Sequence, residues 1–269
     1  MFCRHKLKTR KNCTEMGASM KLSYFELLSP EPVSIPEIGG ILSPKLRDIS
    51  LLGYPAYQNY LAVLLMDTAE YFTMAGYSEQ YRSLSEEEKA QIDLFGLLTA
   101  NEQTLALLQD MLNFFIRENV LYSPEHKGFA VQDSGKTIGW ITKDNYPEVC
   151  SLICQRICIH PRQKEDPSKV KSEKAWEIMK KLQKGRMEKA KQAAPDENME
   201  LGNIISAVAN KSNSLHIINI WDLTIFQLWD CFSRLSNNSI YDIQSMSVAA
   251  WGDKEKHFDP SAWFQRINR

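Results

Sequence analysis

Three thiols, Cys150, Cys154 and Cys158, recur every fourth residue and are followed closely by His160. On a helix they would form a single stripe, and thiolate with imidazole is the donor set of a soft metal ion. The spacing argues against such a centre. Structural zinc sites gather ligand pairs from tight turns, whereas three thiols spread over about two turns of one rigid helix cannot all reach one ion. Uncharged cysteine also behaves as a small apolar side chain. The stripe is therefore read as core, and neither metal nor cofactor is expected. Cys3, Cys13 and Cys231 complete a set of six. With no recognisable secretory signal before them, free thiols in a reducing compartment are expected rather than a disulfide framework.

Other candidates for chemistry are weaker. The Gly135-Lys136-Thr137 triplet has the ending of a phosphate-binding loop, but Ala130 stands where the earlier glycine of that pattern belongs, and a hairpin turn is the better reading. The chain has no Gly-x-Gly-x-x-Gly, His-Glu-x-x-His or Gly-x-Ser-x-Gly sequence. His5, His126, His160, His216 and His257 are scattered, and spacing pairs none of them with a nucleophile or carboxylate. No reaction can be derived from these residues, and a non-enzymatic protein is expected.

One segment has the charge to contact phosphates. Residues 161–191 hold many more Lys and Arg than acids, and Lys171, Lys174, Lys181 and Lys184 would be the first contacts to nucleic acid. Against this, Glu165, Asp166, Glu173, Glu177 and Glu188 are interleaved among them and Trp176 is the sole aromatic, the composition of a solvated helix face. The whole chain, at a formal net charge of −1, has no general attraction to polyanions.

The elements that must position these residues are mostly helical. Of 269 residues, 43% are hydrophobic and 24% charged, enough to bury a substantial core. The longest apolar run, 61–66, is far shorter than the roughly 20 residues of a membrane-spanning helix. Residues 1–21 have no helical or strand period and read as a disordered or over-called extension, with Met20 as the alternative start.

Ser43 and Pro44 predict the start of a short helix closed by Gly53, and Pro55 to Gly76 predicts a single long one. Ser85 followed by three glutamates is a capping-box start. Residues 120–142 are β-rich and broken by glycines, with Asp133 to Lys136 as a hairpin turn. The expected architecture is thus mainly α. A helical domain over 22–160 holds a small β-hairpin insert near 120–142, and a basic helical linker over 161–198 leads to a C-terminal helical region over 199–269.

The most apolar helix begins near Asp222, read as its cap. Ile225, Leu228, Phe232 and Leu235 share one face that Phe226 and Trp229 widen, while Gln227, Asp230 and Arg234 make a narrow polar stripe. Burying each large side chain is worth roughly 1.5–3 kcal/mol, so this face must be covered. Two covers are open: the chain's own core, or a partner docking around Trp221, Phe226, Trp229, Phe232 and Trp251.

Leu223, Thr224, Gln227 and Arg234, followed by Gly252-Asp253-Lys254, together with the stretches at 36–67 and 176–186, resemble a protein of the tail-gene cassette of tailed bacteriophages and prophages of Gram-positive hosts. The C-terminal pattern is similar to that of tail assembly chaperones and baseplate-hub assembly proteins. The resemblance implies a mainly helical, non-enzymatic factor that binds other tail or baseplate proteins during virion morphogenesis. It implies residence in the bacterial host cytoplasm or in the virion, with no membrane association. A nucleic-acid-associated phage protein using the basic segment, or a structural tail component, are the other readings.

Overall fold

The computed structural model describes residues 20–159, 197–253 and 256–267. The chain is mainly helical, as expected from its patterning. Ser23 opens α1 (Tyr24–Leu28) through a reciprocal capping box with Glu26. A short antiparallel hairpin follows, β1 (Val33–Ile35) with β2 (Gly39–Ile41). Helices α2 (Leu46–Leu52) and α3 (Tyr54–Leu65) meet at Gly53, which takes φ of 90° as the shared junction.

The single helix expected from Pro55 to Gly76 is two helices. The chain turns at Met66, and Asp67 starts α4 (Thr68–Met74) by exchanging side-chain and backbone hydrogen bonds with Glu70. A local cap thus interrupts a stretch whose apolar content alone would continue the helix. Short helices α5 (Ser78–Ser83) and α6 (Glu86–Ala90) follow, the latter opened by the expected Ser85–Glu88 box. Then come α7 (Leu94–Ala100) and α8 (Glu102–Phe115), whose caps are Asp93 and Asn101.

The β insert is a three-stranded antiparallel meander rather than one hairpin: β3 (Asn119–Ser123), β4 (Gly128–Asp133) and β5 (Lys136–Ile141), in that order. The Gly135-Lys136-Thr137 triplet belongs to its second turn, where Ser134 and Gly135 both have positive φ, the backbone of a tight hairpin. The outer edge of β3 is closed by side chains of α8. Asn113 accepts from the Val120 N–H and donates to its carbonyl, both at 2.8 Å, and Gln109 accepts from the Tyr122 N–H at 2.9 Å. Two amide side chains stand in for a missing strand. At Gly139 a Cβ would overlap the Glu37 carbonyl, so only glycine lets the β1–β2 turn approach β5 so closely.

The hairpin β1–β2 went unread in the sequence, because Pro32, Pro36 and the Gly39-Gly40 pair look like loop punctuation. It is pinned by Glu118, whose buried carboxylate accepts from the Gly40 N–H at 2.6 Å and from the Arg117 guanidinium. Burial pushes that carboxyl's pKa up, but these donors outweigh it and hold the pKa below the usual carboxylate range.

Helix α9 (Tyr146–Arg156) carries Cys150 and Cys154, while Cys158 lies past its end at φ of 60°, so the stripe expected along one helix holds two thiols rather than three; α10 (Leu201–Lys211) and α11 (Ile225–Trp251) form the C-terminal part. One apolar core joins them to the rest, with Leu46 and Ile49 of α2, Met111, Leu112 and Phe115 of α8, Phe129 and Val131 of β4, and Leu152 and Ile153 of α9. Arg156, fully buried, seals the end of α1 by donating to the carbonyls of Glu26, Leu27, Ser29 and Glu31. Burial lowers its pKa to about 10, still leaving it cationic at neutral pH. The basic segment, with Lys171, Lys174, Lys181 and Lys184, lies outside the described residues, as do His160 and residues 1–19.

Candidate docking face on the C-terminal helix

Two cysteines of the expected stripe pack into the fold. Cys154 is buried and Cys150 lies partly buried beside Tyr146. Burial pushes the Cys150 thiol up to about 12 and Cys154 up to about 11, so both are protonated at neutral pH and poorly suited to ligation or nucleophilic attack. Among the described residues no cluster of three His, Cys, Asp or Glu could hold a metal ion. His126 lies flat on Trp140, with ring centroids 4.2 Å apart.

The helix α11 is built differently at its two ends. Its start is fastened to residues 43–46. The first four N–H groups of a helix, counted from its cap, lack partners inside it, and that of Thr224 donates to the Gln227 side chain at 2.9 Å. Here the Ile225 N–H donates to the Pro44 carbonyl at 2.9 Å, that of Phe226 to the Ser43 hydroxyl at 3.4 Å, and that of Gln227 to the Thr224 hydroxyl at 3.2 Å. The Leu46 N–H returns a bond to the Leu223 carbonyl at 2.9 Å. Thr224, not Asp222, is the cap; Asp222 sits in the preceding 3-10 turn and pairs with Arg47 at 2.8 Å. Ser43, expected to start its own helix, caps this one instead.

The polar stripe is also used internally. Gln227 donates to the Leu28 carbonyl at 2.9 Å, and Asp230 accepts from the Tyr24 hydroxyl at 2.7 Å. Arg234 donates to that hydroxyl and, at 2.7 Å, to the Gln265 carbonyl. The residues that carry the family resemblance, Leu223, Thr224, Gln227 and Arg234, therefore attach α11 to the body and to the C-terminal tail. Gly252 ends the helix at φ of 78°. Asp253 then turns the tail back by accepting from the Phe258 and His257 N–H groups, and these bonds lower its pKa.

Side chains on the proximal half, Ile225 to Leu235, are buried or half-buried. Ile225 and Leu228 enter the core to which α10 contributes Ile204, Ile205 and Val208. Of the five aromatics expected to dock a partner, Phe226 is 3% exposed and packed within the chain's own fold, while Trp221, Trp229 and Phe232 lie half-buried against the core. Trp251 is 82% exposed.

From Ser236 onward the same face has no cover among the described residues. Ile240, Ile243, Met246 and Trp251 are all more than half exposed, and Ser236, Ser247 and Ala250 are exposed between them. At 3.6 residues per turn these positions continue the face that Ile225, Leu228 and Phe232 turn to the core. The returning tail lies on the other side of the helix. Tyr241, nearly half a turn from Ile243, packs its ring 5.4 Å from Phe258, and Asn238, Tyr241, Asp242 and Trp263 line an open hollow of about 300 Å³ there. The periodic signal for Ile240, Ile243 and Met246 was in the sequence, and only the fold separates them from the covered residues upstream.

The site so defined is an apolar helix face. In a comparison with protein families, residues 189–268, less than half of the chain, match the YomV second domain, YomV being a protein of the Bacillus prophage SPβ. The matched stretch includes both α10 and α11. No curated protein and no solved structure matches the chain. Among the described residues no helix is long and apolar enough to cross a membrane.

Proposed function

We propose that this protein is a non-enzymatic phage tail or baseplate assembly factor that holds other tail proteins on the distal face of α11. The observation that carries the reading is the run of Ile240, Ile243, Met246 and Trp251, a core-type face left in water. Four large side chains forgo roughly 1.5–3 kcal/mol each while exposed, so an apolar partner gains from covering them. The similarity of residues 189–268 to a domain of a prophage protein supports a phage setting, and the tail-cassette resemblance supports the assembly role.

The test is affinity capture of the tagged chain from phage-producing cells at low and high salt, with copurified proteins identified and mature particles analysed in parallel. Tail or baseplate proteins should remain bound at high salt, be lost with Ile243→Asp, and leave finished particles free of this chain. Capture of nucleic acid alone, released by salt, overturns the reading in favour of phosphate contacts by the basic segment. Persistence in purified particles overturns it in favour of a structural tail component.

A further inference from the structure

We infer that a second copy of this chain fits the distal face of α11, the two helices packing antiparallel. This rests on the proposed reading only in sharing its face. Ser236, Ile240, Ile243, Ser247 and Ala250 follow one another at steps of four, three, four and three, the seam of a two-helix coil, and all are exposed.

The order of sizes along that seam selects the partner. When a second copy runs in the opposite direction about a two-fold axis near Ser245, Ile240 falls opposite Ala250 of the second copy and Ile243 opposite its Ser247. Each isoleucine of the seam meets a small side chain, so the helices interdigitate there, and the two-fold axis makes both layers occur twice.

Charge agrees with size. From Ser236 to Trp251 the only formal charge is Asp242, which points away from the seam toward the tail side, so two copies meet without like-charge repulsion. The tail, being on that other side, does not have to move.

About that axis the two helices overlap from Ser239 to Trp251, a contact about 20 Å long. With one aromatic and three aliphatic side chains from each copy, the buried surface is on the order of 1,000 Å² in total, at the lower end of specific interfaces. The pair is therefore a reversible, concentration-dependent dimer rather than an obligate one.

The experiment is sedimentation velocity on the purified full chain from about 1 to about 200 µM, the range over which an interface of this size responds. The sedimentation coefficient should rise from monomer to dimer. Ile243→Asp should remove the rise, and Ser247→Phe should weaken it, because the added ring fills the space that Ile243 of the other copy needs. Circular dichroism on both variants should match the parent, both positions being exposed.

A chain that stays monomeric throughout, or one whose association survives Ile243→Asp, overturns the inference. So does strengthening by Ser247→Phe, which is the behaviour of unspecific apolar sticking. Monomers that still capture tail proteins would overturn the dimer and leave the functional reading standing; dimers that capture none would do the reverse.

Discussion

The two halves of α11 have nearly the same amphipathic pattern and opposite fates. In the proximal half, Leu228 is 0% exposed and Thr224 caps the helix from within the core; in the distal half, Ile243 and Trp251 are open to water. The distal face mixes Ser236, Ser247 and Ala250 with its large residues, but the greater difference is in the neighbours. Residues 43–46 fasten the first turn, α10 packs along the helix, and α1 takes up the polar stripe. Beyond Leu235, among the described residues, it is the tail that packs on the helix, and it takes the opposite side. An apolar period therefore says that a face needs a cover; it does not say whether the cover is the same chain.

That contrast is easiest to break from the proximal end. Replacing Leu228 by alanine removes a fully buried side chain and should lower the unfolding free energy by about 2–5 kcal/mol in urea titration. A loss below about 1 kcal/mol would mean that this half is less tightly covered than its burial indicates.

Thr224→Ala comes next. It deletes the capping hydroxyl and leaves the Gln227 N–H without its partner, which should cost about 1–2 kcal/mol, read in the same titration. The smallest effect belongs to the distal half. Ile243→Ala should change stability by no more than about 0.5 kcal/mol at concentrations where the chain is monomeric, because that residue is 65% exposed. A loss comparable to that of Leu228→Ala would show the distal face to be covered in solution and would erase the contrast.

Local chemistry was the legible part of the fold. The Ser85–Glu88 box, the Gly53 terminus and the turn at Ser134-Gly135 depend on residues adjacent in sequence, and each stands where its residues placed it. The errors lie where a distant partner or a short competing cap decides. Asp67 with Glu70 cut a helix that its apolar content would have carried on. Ser43 has the right chemistry for a cap, but Phe226, far along the chain, presents the N–H it binds. The strands around Gly39-Gly40 owe their order to Glu118, which no local pattern announces.

At the candidate face the side-chain types were readable and their exposure was not. Phe226 and Trp251 are both large aromatics on one amphipathic helix, and only tertiary packing makes one a core residue and the other a surface residue.

The fastening of α11 to Pro44 and Ser43 also bears on how this chain is divided. The stretch that resembles the YomV second domain holds α10 and α11, yet two of the four N–H groups that open α11 are satisfied from residues near the other end of the sequence. The stretch that matches a family model is here not a stretch that closes its own hydrogen bonds, and a fragment cut along its borders would begin its longest helix with the Ile225 and Phe226 amides stripped of their partners.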